Sequence, residues 1–176
     1  MSRLITMAII ALLLLTGTTH AQIEKTPITR KTNSVYFEAF GNGIVYSINF
    51  DKLIYQHNED FFSMRYGLNY LPEIKDYSDY KVYGLILEPN YLIDLGRDNF
   101  FEIGMSISLF RLLNDYYPST LVLFSPRLGV RYQPHNKGNF FRIGLTPIVP
   151  LHADEALDNF HAAHMAYLGI GLGITY

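Results

Sequence analysis

Eight charged side chains sit at alternate positions within otherwise apolar segments. Glu38, Asp51, Glu88 and Glu102 are acidic, and Arg65, Arg127, Arg131 and Arg142 are basic. Several are spaced by two among small polar residues, as in Ser63, Arg65, Gly67 and Asn69, or Ser125, Arg127, Gly129 and Arg131. Equal numbers of carboxylates and guanidiniums suit ion pairing, because the guanidinium presents a planar fork of donors that fits a carboxylate. Alone in an enclosed interior, any of these groups would carry a large desolvation cost. Paired and hydrogen-bonded, they can fill and stiffen that interior. The chemistry expected of this set is structural, with a gated or ligand-binding interior as the alternative.

A second candidate lies between His152 and His164. There Asp158, His161 and His164 recur at three-residue spacing and would share one face of a helical turn. Imidazole and carboxylate together can hold zinc, but polar loops collect such residues by chance, and no metal site is expected. Nucleophilic chemistry finds less support. The chain has no His-x-Ser-Asn pattern of the kind carried by outer-membrane deacylases, and Ser119, Ser125 and the loop histidines have no spacing that builds a triad. No catalytic residue and no cofactor are expected, which leaves a lipid A-modifying enzyme as a minor alternative.

The elements that must position the charges are strands. Leu168, Ile170, Leu172, Ile174 and Tyr176 share one parity, and Tyr167, Gly169, Gly171, Gly173 and Thr175 the other. A period of two is strand geometry. The same split recurs upstream, with Phe141, Ile143 and Leu145 opposing Arg142, Gly144 and Thr146, and with Ile44, Tyr46, Ile48 and Phe50 opposing Val45, Ser47, Asn49 and Asp51. Strands are expected near residues 34–41, 44–55, 61–71, 82–93, 100–112, 121–133, 140–151 and 164–176. Short breaks near 57–60, 96–99 and 134–139 alternate with longer polar connections at 72–81, 113–120 and 152–163. Asn42-Gly43 is read as a tight hairpin turn, since Asn-Gly favours the positive φ such turns require; a kink within one long strand is the alternative. Asp60-Phe61-Phe62, Asn99-Phe100-Phe101 and Asn139-Phe140-Phe141 recur 39–40 residues apart, and the paired phenylalanines are expected to form an aromatic girdle. Pro89, Pro126 and Pro147 fall inside strands, where bulges are expected.

Bulk properties narrow the class. Arg3, the apolar run Leu4 to Leu15 and the small residues ending at Ala21 read as a secretory signal over residues 1–21. Residues 22–33 would be a short periplasmic segment and 34–176 the folded domain. Removing the signal leaves 13 basic and 16 acidic residues, a net charge of −3, which offers nothing to nucleic acid. No cysteine is present, so disulfides do not stabilise the fold. The mature part has no apolar run long enough for a membrane helix. Fourteen tyrosines and twelve phenylalanines suit strands and membrane interfaces. One face of nearly every strand is large and apolar, whereas the other is glycine, serine, asparagine and isolated charge. Glycine is a poor choice for an exposed strand surface and a good one for a crowded lumen, so the apolar face is assigned to lipid. A soluble lipocalin-like binder would turn that face inward and usually carries an early Gly-x-Trp, but the chain has no tryptophan. The expected fold is all-β, an eight-stranded antiparallel up-and-down transmembrane β-barrel, too narrow for an open pore.

The last residues, Gly171-Leu172-Gly173-Ile174-Thr175-Tyr176, resemble the C-terminal assembly signal of outer-membrane barrels, marked by Gly171, Ile174 and Tyr176. Pro126-Arg127-Leu128-Gly129-Val130-Arg131-Tyr132-Gln133-Pro134 and Phe140-Phe141-Arg142-Ile143-Gly144-Leu145-Thr146-Pro147 resemble small OmpX/OmpA-like barrels common in Bacteroidota. The resemblance implies the outer membrane of a Gram-negative bacterium, a monomer, and the barrel-assembly machinery as a partner during insertion. It brings no established activity. Outer-membrane lipids and lipopolysaccharide would be the lasting partners, with Tyr77, Tyr80, Tyr116 and Tyr117 in the external loops. The role expected is structural or surface-interacting, with a small gated channel or lipid-binding barrel as the alternative.

Overall fold

The computed structural model describes residues 33–73, 81–113, 118–154 and 166–176. The signal segment, the loop tyrosines Tyr77, Tyr80, Tyr116 and Tyr117, and the candidate ligands Asp158, His161 and His164 lie outside them. The strands are β1 (Asn33–Ala39), β2 (Tyr46–His57), β3 (Asp60–Leu71), β4 (Lys81–Gly96) and β5 (Asn99–Leu113). They continue with β6 (Ser119–Tyr132), β7 (Gly138–Pro147), β8 (Val149–Ala153) and β9 (Ala166–Thr175). From β1 to β7 each strand pairs antiparallel with the next. β7 and β8 lie end to end along β6 and form one stave of the wall. β9 pairs with both β7 and β1, from Ser34↔Thr175 to Ala39↔Ile170, and this closes the sheet. The result is an eight-stranded antiparallel β-barrel.

Alternation dictates what each side of the wall carries. Leu68 and Leu172 on the outer face are 62% and 60% exposed, whereas Arg65 and Arg142 on the inner face are 0% exposed. At one end the strands are joined by tight turns. His57 pairs with Asp60 across Asn58-Glu59, and Gly96 with Asn99 across Arg97-Asp98. Arg97 and Asp98 both have positive φ (54° and 64°), the requirement of a type I′ turn, and the Asn99 side chain donates to the Gly96 and Arg97 carbonyls.

Three expectations are corrected. Asn42-Gly43 is neither a two-residue turn nor a kink. β1 and β2 do form a hairpin, with Ala39 opposite Tyr46, but Gly41–Gly43 make a turn of 3₁₀ helix folded into the barrel, all three residues buried. Phe40 and Ile44, at φ 58° and 67°, redirect the chain on either side of it. Ile44 therefore leaves the outer face and packs against a buried apolar cluster, while Val45 is exposed.

The phenylalanine pairs divide between the two faces. Phe61, Phe100 and Phe140 point inward and are buried, and only Phe62, Phe101 and Phe141 lie on the outer side. Parity is the reason: Phe61 is in phase with Ser63 and Arg65, Phe100 with Glu102, and Phe140 with Arg142.

Pro89, Pro126 and Pro147 do not sit at bulges. Register shifts occur instead at Leu53/Tyr55, Asp94/Gly96 and Val122/Leu123. Pro89 stays in register with Met64 of β3, and its missing donor faces β5, where the ladder skips it. Pro126 and Pro147 fall in one gap between β6 and the β7/β8 stave, so a single interruption accommodates both residues that cannot donate.

Candidate functional site: the charged interior

Seven staves carry charge inward, and the structure brings all eight of the charged residues named above together. Their side chains are fully buried. Asp51 receives both Nη atoms of Arg131, at 3.1 and 2.8 Å, although these residues lie on β2 and β6. Arg131 Nη2 also reaches Glu102 Oε1 at 2.9 Å, and the same oxygen accepts from Arg142 Nη2 at 2.8 Å. Arg131 and Arg142 stand directly opposite each other in the β6–β7 ladder, a repulsive placement that the shared Glu102 oxygen offsets. Arg142 continues to Glu88 at 2.8 Å. Glu88 in turn accepts from Arg65 at 3.0 Å and is 3.2 Å from Arg127 Nε. Glu38 closes the series, 2.6 Å from Arg127 and paired with Arg65. The sequence of contacts is Asp51, Arg131, Glu102, Arg142, Glu88, then Arg65 and Arg127, then Glu38.

Neutral side chains add further bonds around the charges. Arg65 donates to Asn49 at 2.8 Å and to Ser47 at 3.1 Å, and Arg142 donates to the Tyr36 hydroxyl. The Tyr36 and Phe140 rings stack at 4.6 Å, with Arg142 5.3 Å from the first centroid and Arg131 5.2 Å from the second. Asn42, on the inward-folded turn, donates to Glu88, and its carbonyl accepts from Ser108 at 3.4 Å. The sequence reading missed Tyr36, Asn42 and Phe140. Tyr36 shares the parity of Glu38 and Phe140 that of Arg142, so alternation alone could have found those two.

β9 contributes no charge to this space, and its glycines leave room for the charges of other strands. A Cβ on Gly169 would lie 2.8 Å from Glu38 Oε1, and one on Gly171 would lie 2.7 Å from Arg142 Cγ. Of the residues marked as an assembly signal, Gly171 thus faces inward, whereas Ile174 and Tyr176 are exposed.

Apolar clusters lie on both sides of the ionic layer. Toward the tight turns, Leu53, Phe61, Leu92 and Phe100 are buried together, with Phe61 and Phe100 edge-to-face at 5.7 Å. Toward the longer connections, Phe110, Leu121, Leu123 and Ile148 pack with Ile44, Val82 and Leu112. These inward residues continue the parity of the charges along their own strands, from Ser108 to Phe110 and from Ser125 to Leu123.

Among the described residues, no group of three His, Cys, Asp or Glu is placed to hold a metal ion. Each lumenal carboxylate is instead met by arginine. Buried carboxylates already neutralised by guanidiniums are poor ligands and poor general bases, so the arrangement is suited to tying staves together. The class the geometry defines is an eight-stranded antiparallel barrel with an ion-paired interior. No family model matches the chain, and no curated protein matches it in sequence.

Proposed function

We propose that this protein is an integral barrel of the bacterial outer membrane, with a plugged, charge-paired lumen and a structural or surface-interaction role rather than a catalytic one. The observation that carries the proposal is the inversion of the wall: eight acidic and basic side chains buried inside, and large aliphatic and aromatic side chains outside on every stave. A soluble monomer rarely exposes a continuous apolar belt, whereas a closed barrel in hydrocarbon requires one and has no unpaired strand edge. Tight turns at one end and longer connections at the other match outer-membrane barrels, with the turns periplasmic and the connections external. The two apolar clusters and the inward-folded Gly41–Gly43 turn support a plug, because each lies across the path an ion would take. Outer-membrane lipids, lipopolysaccharide and the barrel-assembly machinery are the partners this reading implies.

Cell fractionation and purification test it. The protein is expected in the sarkosyl-insoluble envelope, to need detergent for monodispersity, and to give no steady conductance in planar bilayers. A monodisperse protein in plain buffer would refute membrane residence, and steady conductance would refute the plug.

A further inference from the structure

The outer face is not uniform near the external end. One cross-strand row holds Tyr70, Tyr83 and Arg111, paired in that order across β3, β4 and β5, and the Tyr46 hydroxyl donates to the Tyr70 carbonyl. The next row toward the turns is Ile48, Leu68, Leu85 and Leu109, again in register. Together they line a groove of about 510 Å³. A second groove of about 400 Å³ shares Leu68, Leu85 and Leu109 with it and continues toward the turns past Tyr66, Leu87 and Ile107. An apolar channel therefore runs down the wall from a row of tyrosines with one cation at its edge.

That cation is costly on a hydrocarbon-facing surface unless something anionic meets it. Arg111 is exposed and donates to the Thr120 hydroxyl, its one hydrogen bond among the described residues, which leaves others of its five donors for a ligand. The nearby Asp154 carboxylate is bonded elsewhere, accepting the Thr120 N–H at 2.7 Å and lying 3.2 Å from His152, and it meets Arg111 only through a weaker charge attraction. Lys81, the other cation beside this row, is paired with Glu73 at 3.4 Å.

We infer that this groove seats a phosphorylated glycolipid of the lipid A type, with a phosphate on Arg111 and an acyl chain along the aliphatic row. The tyrosines mark the level where headgroup meets hydrocarbon, and a guanidinium there fits phosphate bidentately. The choice of lipid follows from the groove opening toward the external connections, so the inference rests on the membrane orientation proposed above.

Native mass spectrometry of the refolded full chain in micelles tests it, using diphosphoryl lipid A, phosphatidylglycerol and phosphatidylcholine as probes. Lipid A should be retained about tenfold over phosphatidylcholine, a ratio within reach of a charged hydrogen-bond pair. Arg111→Ala should abolish that preference and Arg111→Lys keep part of it. Lys52→Ala, which removes an outward cation far from the groove, should leave it unchanged. Equal retention of lipid A and phosphatidylcholine, a preference that survives Arg111→Ala, or phosphatidylglycerol held as tightly as lipid A would overturn the site. Heat-modifiable gel mobility separates the two proposals: a chain that folds in micelles without the preference sinks only the site, whereas one that folds only in plain buffer sinks the membrane reading as well.

Discussion

Asp51 is the acid most exposed to loss of a partner. Among the described residues Glu38 has two arginines within bonding distance, Glu88 three and Glu102 two, but Asp51 has Arg131 alone. Arg131→Ala leaves Asp51 buried with one remaining bond, from the Ser63 hydroxyl at 3.3 Å. Breaking a buried pair from one side costs about 3–5 kcal/mol, mostly from the stranded charge. Removing Asp51 as well restores the balance of acids and arginines, and Glu102 keeps Arg142 at 2.8 Å. What persists in the double variant is lost packing, about 2 kcal/mol or more for a large buried side chain. Arg131→Ala/Asp51→Ala should therefore be more stable than Arg131→Ala by at least ~1 kcal/mol, a difference well above additivity error. Urea unfolding in lipid vesicles, followed by heat-modifiable mobility, measures it. A double variant no more stable than the single one would refute the claim that stranded charge dominates, and with it the view of the lumen as one balanced network.

The remaining expectations concern the mouth of the barrel. Asn42→Ala removes a donor to Glu88 but leaves that carboxylate its three arginines, so the loss should be near the lower end of about 1.5–3 kcal/mol for a hydrogen bond to a charged group, with faster proteolysis at 40–45. Unchanged stability and cleavage would mean the turn is not anchored through this bond. Asp154 is held below an ordinary aspartate (about 3.9), chiefly by the Thr120 N–H it accepts. A depressed pKa in the folded state means this contact contributes above the ordinary value and is lost as pH falls through the folded one. The Thr120 amide shift should accordingly titrate with a midpoint below 3.9; a midpoint at or above that value would refute the contact.

Much of this arrangement was readable from alternation. Arg65, Arg127 and Glu102 occupy the parity of glycine and serine along strands whose other parity is aliphatic, and that places them inside. Which residues they meet was not readable, because Asp51 and Arg131 are brought together only when the sheet closes. The inner apolar clusters were missed for a different reason. Phe61, Phe110 and Leu123 share the charges' parity, but glycine, serine and charge mark the inner face without showing that it turns apolar toward both ends. The Asn42-Gly43 turn misled because local propensity favours a tight hairpin there. Its actual course depends on Glu88 and Ser108, which are distant in sequence.

The shared gap at Pro126 and Pro147 has a mechanical consequence. β5 and β6 are laced continuously from Asn99↔Tyr132 to Leu112↔Ser119, whereas the opposite flank of β6 is stitched in two separate pieces with two donorless residues between them. The cylinder therefore has a seam. Amides bordering it should take up deuterium before those of the β5–β6 wall, and lateral parting under load should begin there.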